Sequence, residues 1–93
     1  MTTLESTIQI PEDVLFHELA GEAVLLNLET GKYYGLNEIG TRMWMLLNEH
    51  GRLEPAFSAL LGEFEVGEEQ LRADLLKLVD DLAAQGLLVI EQN

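Results

Sequence analysis

The stretch from Ala23 to Leu47, AVLLNLETGKYYGLNEIGTRMWMLL, leaves the chain few choices of fold. It runs an apolar strand, a turn, an aromatic strand and a helix start together without a linker. Val24, Leu25, Leu26 and Leu28 favour an extended, at least half-buried segment. Gly31, after Thr30, supplies the positive φ that a tight hairpin requires, and Lys32 to Leu36 reads as the return strand. Asn37 occupies an N-cap position, where its side-chain oxygen can accept from an unpaired backbone N–H. Glu38 follows in the first turn, where negative charge is favoured. A sheet edge and a helix start therefore meet at Leu36–Asn37.

Upstream, residues Met1 to Asp13 read as a loose arm with weak alternation at Thr7-Ile8-Gln9-Ile10, room for a short edge strand, and a stop at Pro11. Val14 to Leu19 is the first clear strand, and Ala20-Gly21 closes it onto Glu22 to Leu28. With the return strand this makes a three-stranded antiparallel meander whose third member, Lys32 to Leu36, lies at an edge with unpaired N–H and C=O groups. Downstream, Ile39, Met43, Trp44, Leu46 and Leu47 recur at helical spacing from Asn37 to about Glu49, and His50-Gly51 ends the run. Arg52 to Phe64 is a second helix, with Pro55 in its first turn and Phe57, Leu60, Leu61 and Phe64 on one face. The longest helix opens with Glu68 and Glu69, carries the stripe Leu71, Leu75, Leu78 and Leu82, and ends at Gln85-Gly86. Leu87 to Ile90 is a brief terminal strand or a tail packed on the core. The expected fold is α+β: a three-stranded antiparallel sheet followed by a three-helix bundle, arranged like a winged helix-turn-helix.

The 93 residues suffice for one domain with a modest core. Seventeen acidic residues against five basic ones give a net charge of −12, which repels nucleic acid and anionic lipid at long range. No apolar run approaches the ~20 residues of a membrane span, and the N-terminus lacks a signal-peptide pattern, so a cytoplasmic location is expected. Without cysteine there is no disulfide, thiol nucleophile or thiolate metal site. His17 and His50 lie in separate elements without partners, and Ser6 and Ser58 lack the glycines of a nucleophile elbow. The glycines form no phosphate loop, and no Asp-Ser pair supports an acyl carrier. Asp74, Asp80 and Asp81 sit on a leucine-striped helix and not in a calcium loop. No catalytic residue, metal site or cofactor is indicated.

What remains is an aromatic edge strand beside a helix whose second stripe, Arg72, Leu76, Val79, Asp80 and Ala83, is mixed in character. A wide buried face explains that stripe; so does a groove that takes an extended peptide as an added strand. The segments LNLETGKYYGLNEIGTRMWMLL and LGEFEVGEEQLRADLLKLVDDLAAQGLL resemble the PqqD-like family of recognition elements for ribosomally made, modified peptides. The likeness runs from about Val14 to Leu88. It rests on the hairpin ending in Tyr-Tyr-x-Leu-Asn, the pair Arg72-x-Asp74 and the closing Gly86-Leu87-Leu88.

The resemblance implies a non-catalytic protein that binds the leader segment of a precursor peptide as a strand against its third strand, beside its third helix. Carried over, the peptide would meet Leu28, Lys32, Tyr33, Tyr34, Gly35 and Leu36, with Arg72, Leu75, Leu76, Val79, Asp80 and Ala83 from the helix. Alternation puts Tyr33 and Tyr34 on opposite faces and leaves open which one faces the peptide. Asp74, Asp80 and Asp81 would meet basic leader residues. The implied partners are the leader and a leader peptidase, as in lasso-peptide clusters, or a radical-SAM enzyme, as in pyrroloquinoline quinone synthesis. A winged-helix DNA-binding protein shares the architecture but needs a basic recognition helix, and here Arg72 and Lys77 face five acids. A structural or inhibitory subunit that folds with its partner is the third reading.

Overall fold

The computed structural model describes residues 2–91. Its elements are β1 (Thr7–Gln9), β2 (Val14–Leu19), β3 (Glu22–Asn27), β4 (Tyr33–Leu36), α1 (Glu38–His50), α2 (Leu53–Glu63), α3 (Glu68–Ala84) and β5 (Val89–Glu91). The antiparallel sheet β2-β3-β4 is the expected meander, with β2 and β4 as its two edges. Ala20 and Gly21 both adopt positive φ, +58° and +86°, the geometry of a two-residue hairpin turn. Between β3 and β4 the turn is longer. Gly31 sits at φ +76°, and the Asn27 side chain accepts from the N–H groups of Glu29 (2.8 Å) and Thr30 (3.2 Å). Lys32, expected in the return strand, belongs to this turn.

Residues paired across the ladder share a face. The inward set holds Phe16, Leu25, Tyr34, Ala23 and Leu36, and packs on α1, where the Phe16 and Trp44 rings stack with centroids 6.4 Å apart. Asn37 caps α1 by accepting from the Gly40 N–H at 2.8 Å, and Gly51 ends the helix at φ +68° with its N–H on the Leu47 carbonyl. Two details of α1 differ from its apolar spacing: Ile39 is 43% exposed, whereas Thr41 is buried. Arg42 holds Glu63 through two bonds of 2.7 Å, tying α1 to the end of α2 and lowering the Glu63 carboxyl pKa.

The N-terminal segment is not a loose arm. β1 pairs antiparallel with β5, setting Thr7 opposite Glu91, so both the early alternation and the terminal strand find a partner in each other. Leu87 and Leu88, just before β5, are buried in the core.

The leucine stripe of α3 needs one correction. Leu71, Leu75, Val79 and Leu82 are the buried positions, and Leu78 is only partly buried. Residues 78 and 79 both suit helical spacing between 75 and 82; packing against α2 and the terminal segment selects Val79.

Candidate functional site

β4 packs on β3 and α1, whereas α3 packs chiefly on α2 and β5, so the outer edge of β4 stays open. The Asn27 N–H donates to the Lys32 carbonyl at 2.9 Å, which fixes the alternation of the ladder. Leu25–Tyr34 and Ala23–Leu36 are then hydrogen-bonded pairs, and the N–H and C=O groups of Tyr33 and Gly35 point away from β3. An extended peptide laid on this edge would find those four groups unpaired.

The two tyrosines divide as alternation requires. Tyr34 is on the inward face, partly buried against the core, and Tyr33 points outward and is 74% exposed. Tyr34 faces Lys77 across the space between β4 and α3. The Lys77 pKa is raised chiefly by the side-chain hydrogen bond to Asp81 (3.0 Å), then by the charge of Asp81, with desolvation opposing and Tyr34 adding a smaller push. Tyr34 therefore lies on the Lys77–Asp81 side of α3.

That proximity splits the helix positions that the sequence grouped together. At 100° per residue, Asp74, Lys77, Leu78 and Asp81 fall on one flank of the buried stripe, and Arg72, Leu76, Asp80 and Ala83 on the other. The second flank meets the N-terminal segment. Thr2 donates from its hydroxyl to Asp80 at 2.6 Å, and Thr2 to Glu5 with Arg72 and Leu76 line an open hollow of about 530 Å³. The Arg72 guanidinium lies 5.7 Å from the centre of the Phe57 ring. Leu75 and Val79 have no exposed surface and Leu36 has 5%, so these three side chains are core floor and offer no groove wall. Leu28 (57% exposed), Lys32 and Gly35 are open to solvent.

Asn27 was not legible as a site residue, yet it joins the two halves of the molecule. Besides organising the turn, its Nδ2 donates to the Gly86 carbonyl at 2.7 Å, anchoring the base of β3–β4 to the end of α3. The only signal in the sequence is an amide four residues before Gly31, in a position suited to an Asx turn. Among the described residues, no group of three or more His, Asp and Glu is placed to hold a metal ion, and no helix is long and apolar enough to cross a membrane.

A three-stranded meander followed by three helices, with the third strand open beside the third helix, defines an α+β domain of the winged-helix type. The chain belongs to the PqqD family: the family described as coenzyme PQQ synthesis protein D (PqqD) matches residues 22–88. Solved structures resemble it over nearly their whole length. TbiB1 in complex with the TbiA(β) leader peptide aligns with a TM-score of 0.83 at 34% identity, covering 91% of this chain and 99% of that one. Lasso peptide synthetase B1 complexed with the leader peptide aligns with a TM-score of 0.78 at 20% identity, over 89% and 98%. At the latter identity the likeness speaks for the fold alone. No curated protein matches the chain.

Proposed function

We propose that this protein recognises the leader segment of a ribosomally synthesised precursor peptide, of the lasso type, and presents it to a leader peptidase or another modifying enzyme, itself catalysing nothing. The whole chain acts as one recognition domain in the cytoplasm. The observation that carries the reading is the unpaired edge of β4, with the backbone groups of Tyr33 and Gly35 turned outward beside the Tyr34–Lys77–Asp81 corner. The peptide adds as a fourth strand. Its inward side chains run between Tyr34 and the Asp74–Asp81 flank of α3, whose carboxylates suit basic leader residues. The likeness to TbiB1, seen with a leader peptide, supports this occupant. The family match also favours a second reading, delivery of a precursor to a radical-SAM enzyme as in coenzyme PQQ synthesis. The two readings share the peptide site and differ in the enzyme served.

The test is a titration with a synthetic leader from the precursor encoded beside the gene, followed by amide NMR. Saturable binding with shifts at residues 33–36 and 74–81 is expected. Gly35→Pro removes an N–H that faces solvent, which an edge strand tolerates. It should weaken the leader at least about tenfold, through one hydrogen bond of about 1 kcal/mol and the bulk of the ring, while the Tm moves by only a few degrees. Binding undiminished by Gly35→Pro, or shifts centred on Arg72, Leu76 and Asp80, would overturn strand addition at β4.

A further inference from the structure

The outward face of the sheet is apolar where an antiparallel sheet covered on one side ordinarily carries polar side chains. Pairing places Leu15, Leu26 and Tyr33 in one row, His17, Val24 and Gly35 in the next, and Leu19 beside Glu22 in the third. Leu15 is 50% exposed, Leu19 74% and Val24 46%. Scattered apolar residues on a surface need no explanation, but adjoining rows on one face do.

Gly35 is the second observation. Its φ is not positive, and a Cβ built there meets nothing within 4 Å, so neither backbone conformation nor crowding within the chain requires glycine. A glycine inside a strand costs stability and commonly marks the close approach of another molecule. Its missing side chain helps form a shallow depression of about 530 Å³ lined by His17, Leu19, Glu22, Val24 and Gly35 among others.

We propose that this outward face docks a second protein through a segment whose apolar side chains are flanked by lysine or arginine. The charge chooses the partner. Asp13, opposite Leu28, and Glu22 close the two ends of the face, with Glu12 and Glu29 exposed nearby, and the chain carries −12 in all. A second copy would bring like-charged rims together; a basic rim completes them. Size points the same way. Six residues at ~3.4 Å and three strands at ~4.8 Å span about 290 Å², well short of the ~800 Å² per partner of a stable interface. The contact is a transient one, and it lies on the face turned away from the Tyr34–Lys77 corner.

The probe is a 14-residue amphipathic peptide of leucine and lysine, compared with its leucine and glutamate counterpart, titrated into the ¹⁵N-labelled full chain. Amide shifts centred on residues 15–19 and 22–28 with the lysine peptide, and none with the glutamate peptide, are expected. The double substitution Leu19→Ser and Val24→Ser should weaken the lysine peptide at least tenfold, with the Tm and the leader affinity held. Shifts spread along the acidic α3, equal binding of the glutamate peptide, or no effect of the substitutions would overturn the proposal. So would a wild-type dimer in sedimentation that the double substitution dissolves, which would make the occupant a second copy. Because leader binding is read separately on the same samples, loss of this proposal leaves the peptide site standing, and the reverse.

Discussion

The two flanks of α3 share one helix and one buried stripe, yet they face different neighbours. On one, Thr2–Glu5 lies over Arg72 and Leu76 and hydrogen-bonds Asp80; on the other, Lys77 and Asp81 stand near Tyr34 beside an unpaired strand edge. The chemistry of the flanks does not distinguish them, since each mixes apolar and charged residues. What distinguishes them is whether the chain supplies its own cover. Half-buried residues on a helix thus identify a surface that wants a neighbour without saying which neighbour it has.

The largest expected effect tests the stripe that separates the flanks. Val79→Asp places an unpaired carboxylate at a position with no exposure. It should cost on the order of 3 kcal/mol or more, a large share of the stability of a domain this size. In urea unfolding, a midpoint near the wild type would mean that Val79 faces a groove after all. Asp81→Asn sharpens the β4 flank: it removes the charge that pairs with Lys77. Leader affinity should change by several-fold, consistent with under ~1 kcal/mol for an exposed pair, with little change in Tm. Calorimetric titration at low and moderate salt checks this, because the difference should shrink as salt rises. The smallest effect belongs to the covered flank. Removing residues 2–5 deletes the Thr2–Asp80 hydrogen bond, the two bonds between Thr3 and buried Ser6, and the packing of Leu4 on the core; the Tm should fall by a few degrees, whereas the leader affinity should stay within about twofold of the full chain. A gain in affinity would show that the terminal segment competes for the peptide.

These flanks also show what the sequence could disclose. Asn37, Gly51 and Gly86 act within a few residues of themselves, Asn37 by a side-chain cap and the glycines by a positive φ, and such signals are legible in the sequence. The hairpins are equally local, and from them follow the order β2-β3-β4 and the open edge at β4. The choice between Leu78 and Val79 is not local: both fit the helical period, and only the packing of α2 and the terminal segment decides it. The same holds for Ile39 and Thr41, where a β-branched polar residue is buried and an apolar one is not. The pairing of β1 with β5 joins segments some eighty residues apart; each gives a weak strand signal by itself, and neither signal names its partner. Asn27 was hidden because its work is divided, with one side-chain atom serving a local turn and the other a carbonyl fifty-nine residues away.

The pairing of Thr7 with Glu91 has a consequence for how such a domain can be used. A fold whose first and last strands lie one strand spacing apart, about 5 Å, can be spliced through those strands into a surface loop of a larger protein with little parting of the loop's ends. Joining β1 to β5 through a linker and opening the chain elsewhere, at the Ala20–Gly21 turn for instance, should likewise leave the sheet and the helices where they are. The terminal ribbon thus makes the domain portable: it can travel as a cassette, with its peptide edge held on elements that neither end disturbs.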